Sequence, residues 1–200
     1  MNNILRFIST CIFLGLVTPC VYAALGLPEN TSRVGYSLSV NRIHVNDPEG
    51  STSAVYAIQP VKFIYTDWWK KGNRYWLELY YQQANLAASV NHIGLQFSQS
   101  GLNYFIQKNY LLNEVFRPWI GIGVGASVAR YQKRHSVDDE GYLLDTFSDR
   151  QQYLLDILLS VDNEWQVTKT STIGGQFFQR IPVNGGITES MLSVYYLVRY

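Results

Sequence analysis

The chain has 200 residues, 47% of them hydrophobic and 14% aromatic, with 16 Lys and Arg against 15 Asp and Glu. This near balance lacks the basic excess with which nucleic-acid binders neutralise phosphates. The two cysteines, Cys11 and Cys20, lie close together near the start of the sequence, so no disulfide framework is spaced along the chain.

Residues 1–23 read as a secretory signal. Arg6 precedes an apolar run over 7–17, and Val21 and Ala23 supply the small residues of a cleavage site, so cleavage is expected after Ala23. That run is too short to cross a bilayer as a helix. Pro19 before Cys20 does not fit lipoprotein processing. Cleavage would remove both cysteines and leave 24–200 as a single domain. Beyond Ala23 no apolar run is long enough for a transmembrane helix. A membrane form of the chain must therefore be a closed barrel, the other architecture that satisfies every backbone group in lipid.

Period-two alternation predicts eight strands. The first, 33–43, sets Val34, Tyr36, Leu38 and Val40 against Gly35, Ser37, Ser39 and Asn41. The polar segment 46–53 ends it. A second strand over 54–66 and a third over 74–82 are joined by 67–73, and a fourth begins near Val90. The stretch 102–114 shows no clear period, which leaves ten strands open. In the fifth strand, 117–130, Ile120, Ile122, Val124 and Val128 oppose Gly121, Gly123, Gly125 and Ser127. In the sixth, 152–166, Tyr153, Leu155, Ile157, Leu159, Val161 and Trp165 oppose Asp156, Ser160, Asp162 and Glu164. The seventh covers 171–180, and the eighth, 190–200, places Leu192, Val194, Tyr196, Val198 and Tyr200 on one face. The longest connection is 131–150. An even strand count, with short connections on one side and longer ones on the other, is the plan of an antiparallel up-and-down transmembrane β-barrel.

Charge placement assigns the faces. A Lys or Arg facing lipid at mid-membrane costs about 2–4 kcal/mol, so Lys62 and the acids of the sixth strand must turn inward. Phe63 pairing with Leu77, and Tyr65 with Tyr75, would set Lys62 opposite Glu78. A lumenal polar network of Lys62, Glu78, Asp156 and Glu164 is expected, filling the barrel rather than catalysing. A proton or ion path is the alternative role. The fifth-strand glycines would leave room in a narrow lumen for bulky neighbours such as Trp76 and Tyr80. Gly121, Gly123 and Ala126 also match G-x-G-x-x-A, but a dinucleotide site needs a turn into a helix there, and the run continues as strand.

The chain resembles the small outer-membrane barrels of the OmpA and OmpX type. The likeness rests on the run Arg117-Pro118-Trp119-Ile120-Gly121-Ile122-Gly123-Val124-Gly125, on the hairpin 161–178 and on the final strand. That strand resembles the C-terminal signal read by the barrel-assembly machinery, which makes Leu192, Val194, Tyr196, Val198 and Tyr200 its assembly residues. The resemblance implies an outer-membrane location, with outer-membrane lipid and lipopolysaccharide as partners. Trp68, Trp69 and Trp119, beside short turns, are expected in the interfacial aromatic girdle. Arg130, Lys133 and Arg134 are candidates for lipopolysaccharide phosphates.

No catalytic, cofactor or metal residues are predicted. His44, His92 and His135 lack a serine two residues on, the pattern implied for outer-membrane lipid deacylases. His135 with Asp138, Asp139 and Glu140 offers cation ligands, but reads better as a solvated loop. The expected function is a non-enzymatic envelope or surface-interaction role through the extracellular loops, chiefly 131–150. The alternatives are a narrow channel or hydrophobic-ligand conduit, a lipid-modifying enzyme, and a soluble carrier of lipocalin type.

Overall fold

The computed structural model describes residues 32–47, 49–52, 54–70, 72–110 and 118–200, without the side chains of residues 46, 51, 59–61, 69 and 70. The predicted signal segment and the Trp69 side chain fall outside this description. The strands are β1 (Arg33–Asp47), β2 (Gly50–Ser51), β3 (Val55–Lys70), β4 (Asn73–Leu86), β5 (Gly94–Asn109), β6 (Pro118–Val137), β7 (Leu143–Phe147), β8 (Arg150–Gln166), β9 (Ser171–Pro182) and β10 (Ile187–Arg199). Eight of them run antiparallel in the order β1-β3-β4-β5-β6-β8-β9-β10. The β10–β1 seam, from Arg33↔Arg199 to Val45↔Ile187, closes the barrel. The two short strands fold back on neighbours beyond the barrel, β2 on β1 and β7 on β6.

The strands are longer than local alternation indicates. Because β3 runs on to Lys70 and β4 starts at Asn73, the expected 67–73 connection is a tight turn in which Gly72 takes φ 73°, a backbone region that glycine enters without steric cost. The indistinct stretch 102–109 belongs to β5, zipped to β4 from Leu86↔Leu95 to Asn73↔Lys108; residues 111–117 lie outside the description. Most of the expected 131–150 loop is also strand, since β6 extends to Val137 and β7 pairs back onto it.

Two bulges reset which face the side chains take. On β3, Ser37 faces Lys62 while Ser39 faces Gln59, so Pro60 and Val61 together oppose one β1 residue. A proline has no N–H to give the ladder, and a bulge is where one fits. Its effect is that odd-numbered Ala57 and even-numbered Lys62 both point inward. On β6, Gln96 faces Gln132 and Gly94 faces His135. The extra residue is taken up at Lys133, whose φ is +52°.

The two faces of the wall separate by polarity. Outward lie Val34, Leu38, Phe63, Leu79, Ile122, Val124, Leu155, Leu159 and Val194, all exposed. Inward lie a polar column and, at the end opposite the chain termini, an apolar cluster. This arrangement is inside-out for a water-soluble domain and is that of a transmembrane barrel.

Candidate functional site

At the termini end of the interior, β4 and β8 bring Arg74 against two acids. Its Nη2 lies 2.9 Å from Asp162 and its Nη1 2.7 Å from Glu164, and its Nε donates to Gln107 Oε1 at 2.7 Å. The guanidinium stacks over Trp119 at 4.1 Å and Trp76 at 4.6 Å. Arg33 approaches Glu164 from β1 at 3.7 Å.

One layer on, Lys62 lies 3.4 Å from Glu78, which also accepts from Trp76 Nε1 at 2.7 Å and Asn103 Nδ2 at 3.0 Å. The register differs from the expected one by two residues: Lys62 pairs with Tyr80, and Ile64 with Glu78. Bringing the β3–β4 turn out to Gly72 shifts the partners, and the lysine reaches its acid diagonally. In the next layer Arg180 holds Asp156 at 2.5 Å and Glu189 at 2.9 Å, and Asn41 Nδ2 donates to Glu189 at 2.6 Å. Gln82 donates to Gln99, and Gln99 to Ser127.

So Lys62, Glu78, Asp156 and Glu164 all lie inside, in three linked layers rather than one group. The residues that tie the layers, Arg74, Arg180, Arg33, Asp162 and Glu189, are missing from the set expected on sequence. Arg74 and Arg180 stood at predicted strand ends, where a charge carries little cost and so little information. Their phase, shared with Trp76 and Phe178, was the signal available.

Beyond Arg180 the interior turns apolar. Ile43, Val45, Leu86, Leu95, Phe97, Tyr131, Leu154 and Ile187 form an apolar stopper. Above it Arg134 donates from Nε to Asp47 Oδ2 at 2.8 Å, from Nη2 to Asp47 Oδ1 at 2.6 Å, and from Nη1 to the Ser148 carbonyl at 2.7 Å. Glu49 is a further ion-pair partner. Arg134 is therefore turned inward and engaged, against the expectation that it would face lipopolysaccharide; the Lys133 bulge flips it.

Trp119 also differs from expectation. It is fully buried in the interior, and Trp68 meets it edge-on, with ring centroids 4.8 Å apart at 88°. An interfacial aromatic must face outward, whereas Trp119 shares the inward phase of Gly121, and Trp68 that of Lys62 and Thr66. The two rings cover the termini end of the lumen. Tyrosines take the outward positions nearby: Tyr75 stacks on Tyr104, and Tyr36 lies against Tyr196. Leu192, Val194, Tyr196, Val198 and Tyr200 fall on the outward phase of β10 and its end.

The interior glycines of β6 create space, but for other neighbours than Trp76 and Tyr80. A Cβ on Gly121 would press on Gln107 and Ser160 at 2.6 Å, and one on Gly125 would lie 3.1 Å from Asn103 and 3.3 Å from Arg180. Tyr80 lies across Gly101, and the Tyr195 ring fills the space over Gly174.

Beyond the barrel, β7 pairs among the described residues with β6 alone. Tyr142, Leu143 and Leu144 are 60–68% exposed on this hairpin. Among the described residues no cluster of His, Cys, Asp and Glu is arranged to hold a metal ion. Asp138 instead caps the hairpin turn, accepting from the backbone N–H groups of Glu140 at 3.0 Å and Tyr142 at 2.8 Å. His135 donates to the Lys133 carbonyl at 2.8 Å when Nδ1 carries the proton. His44 lies on β1, opposite Thr188, and is four strands from His135 on β6 in the ladder.

No protein-family model matches the sequence, and no curated protein does. Solved structures match in fold. Ail, the attachment invasion locus protein of Yersinia pestis, seen in complex with the heparin analogue sucrose octasulfate, superposes with a TM-score of 0.56 at 9% identity, covering 86% of this chain and 99% of Ail. The outer-membrane protein OprG from Pseudomonas aeruginosa gives 0.56 at 10% identity, over 86% and 96% of the two chains. Neisserial surface protein A gives 0.54 at 12%, over 84% and 97%. The chain has the fold of the small outer-membrane β-barrels.

Proposed function

We propose that this chain is a non-enzymatic integral outer-membrane protein that acts through the β6–β7 hairpin as a surface-interaction element. On this reading residues 1–23 direct export, the outward β10 residues serve the assembly machinery, and the termini end faces the periplasm. The tight turn at Gly72 and the short connection 167–170 support that orientation. A filled interior leaves the barrel little scope as a pore. Eight strands enclose a space that side chains can just fill, and here ion-paired layers lie between a tryptophan cover and an apolar stopper.

The observation that carries the proposal is the hairpin. A closed barrel abolishes strand edges, yet β7 presents a new one, with exposed apolar side chains beside it. An unpaired edge is a template for an extended segment of another protein. Asp138, Asp139, Glu140, Asp145 and Asp149 surround it, against Lys133 and Arg150. A cationic partner segment complements that charge, unlike the polyanion bound by Ail.

The test begins with electrophoresis of the outer-membrane fraction, with and without boiling. A heat-shifted band is expected; recovery in the soluble periplasm without a shift would sink the membrane reading. Replacing residues 138–147 by a short Asn-Gly turn should then preserve the heat shift and abolish capture of cationic extended peptides. Capture undiminished by that change would move the function elsewhere. In planar bilayers the intact barrel should show no steady conductance.

A further inference from the structure

The outward wall carries a depression where a smooth apolar band would suffice. Across β4, β5, β6 and β8 the outward side chains fall in rows fixed by the register. One row reads Leu79, Leu102, Ala126, Leu155, and the next Tyr81, Ser100, Val128, Tyr153. Ser100 and Ala126 are small. The large residues around them leave a groove of about 680 Å³, lined by Leu79, Ser100, Ala126, Val128, Tyr153 and Leu155. That lies within the roughly 300–1,000 Å³ of small-molecule sites. The row beyond the tyrosines is polar: Gln83, Ser98, Arg130, Gln151. Arg130 is exposed there, and it forms no ion pair with any described residue.

We propose that this groove binds one phosphate-headed acyl lipid, with an acyl chain lying over Ser100 and Ala126 and the phosphate on Arg130. The inference rests on the membrane reading above. Within the apolar band the surroundings are hydrocarbon, so the occupant comes from the bilayer. The order of the rows matches such a lipid from tail to headgroup: apolar, then aromatic, then polar with one cation. Guanidinium is the side chain best shaped for bidentate phosphate contact, and Ser98 and Gln151, its cross-strand neighbours, flank it with polar side chains.

The test uses the full barrel refolded in detergent, with native mass spectrometry to count retained lipids. The probes are dimyristoyl phosphatidylglycerol and dimyristoyl glycerol, which share chains and differ in the phosphoglycerol headgroup. One phosphatidylglycerol should remain per barrel, while the glycerol should be lost. Arg130→Gln should weaken retention about tenfold, the loss of roughly one charge-assisted contact. Ala126→Phe should fill the groove and abolish retention of the phosphatidylglycerol. Both substitutions face outward, and the heat shift verifies that each variant is folded. Equal retention of both probes, or retention by Ala126→Phe equal to the parent, overturns the site. A heat-shifted parent that keeps no lipid overturns the site alone; absence of any heat shift overturns the membrane reading beneath it.

Discussion

Arg134 on β6 and Asp47 at the end of β1 share two hydrogen bonds, of 2.8 and 2.6 Å, though simple alternation from Tyr131 would put Arg134 outside. The Lys133 bulge makes the contact possible, and the contact ties the projecting hairpin to the first outer loop. Arg134 also holds the Ser148 carbonyl, so its loss frees both sides of the hairpin base. Arg134→Ala should cost about 1.5–3 kcal/mol, the range for hydrogen bonds to charged groups, and should speed proteolysis within 136–149. Unchanged cleavage there would mean that the clamp does not hold the hairpin.

The bulge itself is testable at Lys133. With φ at +52°, a β-branched residue is strained where glycine is not. Lys133→Val should destabilise the outer end by about 1–3 kcal/mol, whereas Lys133→Gly should be close to neutral. Urea unfolding in detergent would separate the two; equal effects would indicate that the positive φ is not retained.

How much of this was legible in the sequence depends on how far each feature rests on local pattern. Alternation over Ile120–Val128 and Tyr153–Val161 needs no partner to be read, and it gave the barrel class and the inward acids of β8. Register is different, because it is set by partners distant in sequence. Lys62 and Glu78 were placed two residues off because Gly72, the local mark of the β3–β4 turn, lies inside the stretch 67–73 that was read whole as a connection. Bulges at Pro60 and Lys133 reverse the phase midway along a strand, which hid the inward Arg134. Trp119 is another matter: its phase with Gly121 pointed inward, and its nearness to a turn misled.

The interior pair Lys62–Glu78 gives a third prediction. Removing one member of a buried ion pair strands the other, at about 3–5 kcal/mol, while replacing both by apolar groups of similar volume is often neutral. Lys62→Met should therefore destabilise strongly, and adding Glu78→Leu should recover part of that loss. The recovery should be incomplete, because Trp76 Nε1 and Asn103 Nδ2 also donate to Glu78. A double-mutant cycle by urea unfolding measures the coupling; a coupling of zero would mean that the two charges do not stabilise each other.

Gly174 gives the last. A Cβ there would run into the ring of Tyr195, its partner across the β9–β10 ladder. Tyr195 cannot yield readily, since it lies edge-on to Trp76 with centroids 5.0 Å apart, and Trp76 in turn lies under Arg74. Gly174→Ala should therefore cost about 1–3 kcal/mol through overpacking, although alanine is ordinarily tolerated in a strand. Tyr195→Leu in the same chain should relieve most of that cost, because the shorter side chain vacates the space. If Gly174→Ala remains as damaging beside Leu as beside Tyr, the penalty comes from the backbone at position 174 and not from the ring.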